Sequence, residues 1–219
     1  MAGARVLVIN PNRSQACTCA IRDALAPFAQ PGMPRLDVRT LADGPPAIAT
    51  WQDWHAVADP LRRMVTGEDA AAYVIACVSD PAIELLRSVT PRPVFGALRS
   101  GLSAAIARAD RFGLIAFVDA SMARQRRVLQ AMGLESRLAA TIPLNLPMDS
   151  LLDPAAARAR LEEAGRELCA RGAEVIVLGC AGMAGHRRFV EDAVGVSVIE
   201  PCQAAAMQAI LAVLEDAEA

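Results

Sequence analysis

The sequence predicts an α/β fold made of two similar parallel-sheet lobes, related by pseudo-two-fold symmetry, with the active site in the cleft between them. Short apolar runs alternate with helix-like stretches along all 219 residues, and this alternation is typical of parallel strands joined by crossover helices. Two of the apolar runs, at residues 72–77 and 175–180, end in a cysteine. Parallel α/β sheets bind ligands at the carboxyl ends of their strands, so both cysteines are expected at such an edge.

The two cysteines occupy matching places in the two halves of the chain. Cys77 follows Asn10, the end of the first strand, by 67 residues, and Cys180 follows Val118, the end of a later strand, by 62 residues. We therefore expect a first lobe of residues 1–95 plus 203–219 that carries Cys77, and a second lobe of residues 96–202 that carries Cys180. The alternative interpretation is that both cysteines are small buried core residues, as free cysteine often is.

In the first half, apolar runs predict strands at residues 5–10, 36–41, 73–77 and 93–95. Helices are predicted at 15–26, at 51–66, after 80–81 and at 102–109. Ser14 suits the N-cap of the first helix, and Asp80 followed by Pro81 suits the start of the third. Pro60 is expected to break or kink the second helix, and residues 96–101 are predicted to form a turn.

In the second half, strands are predicted at residues 112–118, 137–142, 175–179 and 196–199. Helices are predicted at 121–132, 154–171, 187–192 and 201–214. Gly133 and Gly172 suit the ends of the first two helices, Asp153 suits the N-cap of the second, and residues 145–150 are expected to be a loop. Most arginines and both histidines are expected at the surface, among them Arg99, Arg124, Arg126, Arg127, His55 and His186.

The composition excludes several classes of chemistry. No lysine is present among the 22 basic residues, so a pyridoxal-phosphate Schiff base and a Walker phosphate loop are excluded. No G-x-G-x-x-G follows a strand, and the six cysteines form no C-x-x-C pair, so we expect no dinucleotide cofactor and no metal site. Chemistry by side chains alone is the remaining expectation.

The charge and hydropathy of the chain indicate its surroundings and partners. The formal net charge is −2, which suggests neither a nucleic-acid nor a membrane partner. No apolar stretch reaches the length of a membrane span, and a strand begins directly after the first residues, where a signal peptide would stand. We expect a cytoplasmic protein with a small-molecule substrate, and the sequence leaves a homo-oligomer open.

The segments around the cysteines carry groups suited to a bound substrate. The amides of Ala181 and Gly182 begin a helix-like segment that favours anions, which is expected to favour a thiolate at Cys180. Ser79 is placed to hydrogen-bond either the Cys77 sulfur or a substrate. In the polar turn after the first strand, Asn10, Asn12 and Ser14 are placed either to donate to a substrate or to satisfy the turn and the helix cap.

At these residues the chain resembles the aspartate/glutamate/hydantoin racemase superfamily, and the hydantoin racemase branch in particular. The resemblance spans nearly the whole chain and rests on Ile9-Asn-Pro-Asn12, on Ala76-Cys77 with Asp80-Pro81, and on Val177-Leu-Gly-Cys-Ala-Gly-Met-Ala184. It implies a cofactor-independent racemase in which Cys77 and Cys180 are the two acid/base thiols.

The resemblance also implies which residues hold the substrate. Asn10, Ser14, Ser79 and the backbone amides after each cysteine, at Val78, Ala181 and Gly182, match substrate-holding positions of the family. The sequence departs from the hydantoin racemase pattern after Cys77, at Arg99 and near Phe117. A hydrophobic Phe117 and a basic Arg99 would suit an acid that carries an apolar group.

The expected reaction is proton abstraction by one thiolate at a carbon next to a carbonyl and proton return by the other thiol. Sulfurs on opposite faces of that carbon would be about 7 Å apart. The substrate is expected to be a 5-substituted hydantoin or a related amino-acid derivative. Two alternatives within the superfamily are arylmalonate decarboxylation and maleate cis-trans isomerisation, and a third is a non-enzymatic two-lobed binding protein.

Overall fold

The computed structural model describes residues 3–216, apart from the side chain of Pro154. The outermost residues of the predicted first lobe, 1–2 and 217–219, lie outside the described residues. Within residues 3–216, no helix is long and apolar enough to cross a membrane.

Two four-stranded parallel sheets form the centre of the structure. In the first sheet the strand order is β2-β1-β3-β4, and in the second it is β6-β5-β7-β8, so the same order occurs twice. Every pair of neighbouring strands is parallel. The strands are β1 Arg5–Asn10, β2 Arg35–Thr40, β3 Ala72–Ile75, β4 Val94–Gly96, β5 Phe112–Ala116, β6 Leu138–Pro143, β7 Val175–Gly179 and β8 Ser197–Ile199. The predicted fold class, with its repeated strand pattern, is confirmed.

Helices join the strands. The α-helices are α1 Gln15–Leu25, α2 Trp51–Ala56, α3 Ala58–Gly67, α4 Ile83–Val89, α5 Ala97–Ile106, α6 Asp119–Ala131, α7 Met148–Leu152, α8 Pro154–Ala170, α9 Arg187–Val194 and α10 Pro201–Asp216. Two of the predicted caps are present, since the Ser14 side chain accepts from the Cys17 amide and the Asp153 side chain accepts from the Ala155 amide.

One apolar core is shared by both sheets. Its buried residues include Val8 and Val74 from the first sheet, Leu114 and Val177 from the second, and Ala205 from α10. The inner strands of both sheets, β1, β3, β5 and β7, are buried on both faces, which explains why they are nearly uninterrupted apolar runs in the sequence. Two further clusters lie on the outer sides of the two sheets.

Four local predictions are wrong. The helix expected at 51–66 is two helices, and the break lies at Val57, so Pro60 falls in the first turn of α3, where proline is tolerated. The turn expected at 96–101 is helical, because α5 begins directly after β4. The loop expected at 145–150 contains the start of α7. Asp80 does not cap the helix that follows it, since α4 begins at Ile83 after Ala82 in the left-handed conformation.

Candidate active site

Cys77 and Cys180 lie at the carboxyl ends of corresponding strands. Cys180 follows β7 directly and Cys77 lies two residues after β3, and each of these strands is an inner strand of its sheet. Both cysteines are free thiols. The side chains of both line a single small cavity of about 40 Å³.

The walls of this cavity are mostly apolar, with a few polar groups. Besides the cysteines, the apolar part comprises Ile48, Val78, Phe117 and Met148 among others, and the polar part comprises Asn12, Ser79 and Ser121. Among the described residues that line the cavity, none is an acid, an arginine or a histidine. The cavity therefore suits a molecule without a net charge.

Seven of the residues named from the sequence as catalytic or substrate-binding candidates line the cavity, and the structure brings together the two halves that carry them. These seven are Asn12, Cys77, Val78, Ser79, Phe117, Cys180 and Ala181. Gly182 packs behind the Cys180 sulfur, since a Cβ at Gly182 would lie 3.6 Å from Sγ. Asn10 and Ser14 do not line the cavity, and their roles toward a substrate stay predictions.

Asn10 is buried and its side chain organises the turn after β1. Its Nδ2 donates to Asn12 Oδ1 at 3.1 Å, to Thr18 Oγ1 at 3.0 Å and to the Ser14 carbonyl at 3.2 Å. Asn12 Oδ1 also accepts from the Ser14 amide at 2.9 Å. The side chain at the cavity wall is therefore Asn12, and Asn10 holds it there.

Sequence reasoning missed several residues of the wall. Ile48 comes from the loop before α2, Ser121 from the first turn of α6 and Met148 from α7. Cys17, a buried residue of α1, also reaches the cavity. None of these residues belongs to a motif, and only the tertiary fold brings them beside the cysteines.

Burial raises the pKa of both cavity thiols. For Cys77 burial is the largest effect and brings the pKa to about 11, while a hydrogen bond with Ser79 and the charge of Arg124 lower it and Asp80 raises it. The Cys77 sulfur and the Ser79 hydroxyl are 3.5 Å apart, which is the first of the two alternatives for Ser79, and its role toward a substrate stays a prediction. The Ser79 hydroxyl thus offsets part of the burial effect at Cys77.

Cys180 is shifted in the same direction. Burial raises its pKa most, the neighbouring Cys17 raises it further, and the Gly182 amide lowers it. The Gly182 amide acts in the direction expected from the sequence, but burial outweighs it, so the pKa of Cys180 is raised on balance. Both thiols are protonated near neutral pH.

The segment after Cys77 is fixed by a buried carboxylate. Asp80 accepts hydrogen bonds from the Leu98 amide at 2.8 Å and the Arg99 amide at 2.9 Å, and so caps α5 from outside that helix. The backbone of Asp80 is in the left-handed region, with a φ of +49°. Its carboxylate lies so close to Gly96 that a Cβ on that glycine would overlap it. Burial raises the pKa of Asp80 to about 6 even though these amides lower it.

Three charged or ionisable side chains are placed differently from the prediction. Arg99 is not free in solvent: its guanidinium pairs with Asp80 at 3.2 Å and with Glu84 at 2.6 Å, away from the cavity wall. Arg124 is 2% exposed. His186 is buried, and its Nε2 lies 2.8 Å from the Leu151 carbonyl oxygen.

Arg124 is held by backbone oxygens. Its guanidinium donates to the carbonyls of Ala120 at 2.9 Å, Ala49 at 3.0 Å and Ile48 at 3.3 Å. No carboxylate among the described residues lies within ion-pair distance of it. Its positive charge therefore stays available to the Cys77 thiol. His55, by contrast, is exposed as predicted, beside Trp51 and Trp54.

Within residues 3–216, no group of three or more histidine, cysteine or acidic side chains is placed to hold a metal ion. The polar side chains that line the cavity are thiols, hydroxyls and the amide of Asn12. Their chemistry is proton transfer and hydrogen bonding.

Comparison with known proteins gives a consistent result. The model of the Asp/Glu/hydantoin racemase family matches residues 6–209. A hydantoin racemase of Paenarthrobacter aurescens is 32% identical over 208 residues, which cover 92% of this chain and 87% of that protein. The solved structure of an allantoin racemase from Klebsiella pneumoniae superposes with a TM-score of 0.90 at 28% identity, covering 97% of this chain and 89% of the other. An arylmalonate decarboxylase shares the fold, with a TM-score of 0.62 at 20% identity over 95% of this chain and 92% of the other.

Proposed function

The chain belongs to the Asp/Glu/hydantoin racemase family, and from this premise we propose that it is a cofactor-independent racemase of a 5-substituted hydantoin or a related cyclic amino-acid derivative. The observation that carries this proposal is the pair of cysteines at matching ends of β3 and β7 that line one cavity. A racemase needs a proton acceptor on one face of a carbon and a proton donor on the other. Two lobes with one thiol each supply both.

The reaction proceeds by two proton transfers. The thiolate of one cysteine takes the proton from the carbon next to a carbonyl, and the electron pair of the broken C–H bond moves into that carbonyl to form an enolate. The thiol of the other cysteine then gives its proton to the opposite face, and the enolate electrons form the new C–H bond. Positioned acid/base groups of this kind accelerate a reaction by roughly 10²–10⁴-fold.

After one turnover the two cysteines have exchanged protonation states. The cysteine that acted as base is a thiol and the other is a thiolate, which is the arrangement needed to convert the product enantiomer. The amide of Ala181 and the hydroxyl of Ser79 are the groups we assign to the enolate oxygen, because both residues line the cavity beside the sulfurs. The Gly182 amide instead bonds to the Cys180 sulfur, and we assign it to the thiolate of that cysteine.

The charge of the cavity favours a hydantoin over a free amino acid. Aspartate and glutamate carry two carboxylates and an ammonium group, and each would need a charged partner when desolvated. The described cavity wall offers none, and Arg99, the basic residue that would suit an acid, is engaged by Asp80 and Glu84. A hydantoin ring is neutral and offers amide groups to Asn12, Ser79 and Ser121.

The cavity between the cysteines is small. Its volume of about 40 Å³ leaves room for only a few water molecules. We propose that residues of the cavity wall move to admit a substituted ring and then close over it, which removes the ring from water.

The decisive experiment is exchange of the C–H proton in D₂O, followed by NMR together with polarimetry. The compounds are 5-monosubstituted hydantoins, allantoin, aspartate and glutamate, and the proteins are the wild type, Cys77→Ala, Cys180→Ala and the control Cys19→Ala, which alters an exposed cysteine outside the cavity. We expect exchange and racemisation with a hydantoin in the wild type and in Cys19→Ala, and loss of racemisation in both cavity variants. Normal racemisation by either cavity variant would exclude the two-base mechanism.

The same proteins separate the alternative functions. Consumption of an arylmalonate or of maleate, without hydantoin exchange, would assign the chain to decarboxylase or isomerase chemistry. Ligand binding without turnover of any of these compounds would favour a two-lobed binding protein.

A further inference from the structure

Gln125 joins the two segments that carry the cavity cysteines. It lies on α6 and is 1% exposed. Its Nε2 donates one hydrogen bond to the Val78 carbonyl at 3.0 Å and a second to the Gly179 carbonyl at 3.1 Å. Val78 directly follows Cys77, and Gly179 directly precedes Cys180.

This arrangement sets a limit on the distance between the two segments. Because both carbonyl oxygens are bound by the same nitrogen, they lie no more than about 6 Å apart. The orientation of the amide is unambiguous, since a reversed amide would place Oε1 against two carbonyl oxygens, which cannot donate. Each of the two N–H groups of Gln125 is therefore committed to one cysteine segment.

The contact also requires a glycine. A Cβ on Gly179 would lie 3.0 Å from Gln125 Nε2 and would overlap the Ile115 carbonyl oxygen. The absence of a side chain thus allows the amide and β5 to approach β7 closely. Gly179 belongs to the Leu-Gly-Cys segment of the sequence. Its contact with Gln125 explains why a residue without a side chain stands at this position.

The Gln125 side chain brings a cost in stability together with its two hydrogen bonds. Its Oε1 is buried without a hydrogen-bond partner among the described residues, and a buried acceptor without a partner disfavours folding. An apolar residue of the same size would avoid that penalty, although it would leave the two carbonyls without their donor. The amide therefore meets a need for the two hydrogen bonds.

We propose that Gln125 is a positioning residue that fixes the separation of Cys77 and Cys180, and this inference rests on the two-cysteine function proposed above. The adjacent Arg124 supports the same role, since it donates to the Ile48 and Ala49 carbonyls in the loop that forms another part of the cavity wall. Two consecutive residues of α6 thus hold two loops of the first half against the second half. With the amide in place, each sulfur stays within reach of the same carbon.

The test compares Gln125→Met, which keeps the length of the side chain and removes both donors, with Gln130→Met. Gln130 lies on the same helix, is exposed, and donates to Glu135 at 3.2 Å, so it is a matched control. In Gln125→Met we expect kcat for racemisation to fall about 10- to 100-fold, because a shift of about 1 Å in a reacting group has an effect of this size. KM is expected to stay within about twofold, since the cavity wall keeps its residues.

A second readout measures the separation of the sulfurs without any substrate. Bifunctional methanethiosulfonate reagents of graded length are applied, and peptides cross-linked between Cys77 and Cys180 are quantified by mass spectrometry. We expect the wild type and Gln130→Met to favour one reagent length, and Gln125→Met to lose that preference. Unchanged kcat together with an unchanged length preference in Gln125→Met would overturn the proposal.

The two readouts distinguish the possible failures. A wild type that racemises no hydantoin would refute the proposed function, and the cross-linking result would still decide the role of Gln125. If Gln125→Met does not fold, as judged by circular dichroism, Gln125→Asn replaces it. That side chain keeps an amide but is one methylene too short to reach both carbonyls, and the same loss of kcat and of length preference is expected.

Discussion

The pH dependence of Cys77 reactivity follows directly from its surroundings. Burial raises the pKa of this thiol from its ordinary value of 9.0 to about 11. At pH 8 the thiolate is then on the order of one molecule in a thousand, and between pH 8 and pH 10 its population rises about 90-fold. For a thiol with an ordinary pKa the rise over the same range is about tenfold.

The assay is alkylation by iodoacetamide, measured on the peptide that contains Cys77, with N-acetylcysteine as the free-thiol reference. The alkylation rate of Cys77 should keep rising tenfold per pH unit up to about pH 10, where the reference has levelled off. Since the pKa is higher in the folded state than in the unfolded chain, the thiol favours folding below about pH 9 and this contribution is lost as the pH rises toward 11. Circular dichroism at each pH therefore accompanies the measurement. A Cys77 rate that levels off by pH 9 would refute the reasoning, because the Arg124 charge and the Ser79 hydroxyl would then outweigh burial.

Three other changes test the supporting structure. Asp80→Ala leaves the two amides at the start of α5 without an acceptor and should lower the free energy of unfolding in urea by about 1–3 kcal/mol; an unchanged midpoint would contradict the cap. Arg124→Met removes a positive charge that lowers the pKa of Cys77, so alkylation of Cys77 at pH 9 should slow several-fold, and an equal or faster rate would exclude this effect. Gly179→Ala places a methyl group against the Ile115 carbonyl and should destabilise the protein by about 1–3 kcal/mol or more in thermal unfolding. A variant as stable as the wild type would show that β5 can move to accommodate the methyl group.

The repeated lobes could be predicted because their signals are local. Apolar runs that end in Cys77 and Cys180 identify two inner strands, and the matching distances from Asn10 and Val118 identify the repeat. Parallel strands buried on both faces leave uninterrupted apolar runs in a sequence. The placement of both cysteines at one cavity followed from the same pattern.

The wrong predictions concern side chains whose partners lie far away in the chain. Asp80 was interpreted as the cap of the next helix, but it caps α5 through the Leu98 amide, 18 residues later in the chain. Arg124 was expected in solvent because most arginines are solvated, yet its guanidinium meets backbone oxygens 75 and 76 residues away. Gln125 carried no signal at all, since a glutamine within an arginine-rich helix is ordinarily a surface residue.

The core shared by the two sheets determines how the protein unfolds. Because Val8, Leu114 and Ala205 belong to a single buried cluster, melting of either half would strip apolar cover from the other, so the two halves gain or lose their order together. The two halves therefore unfold as one cooperative unit, although the strand pattern repeats once along the chain. A destabilising substitution in the core of either half would therefore reduce the number of folded molecules in a sample. Each molecule that remains folded would keep both sulfurs in their positions at the cavity.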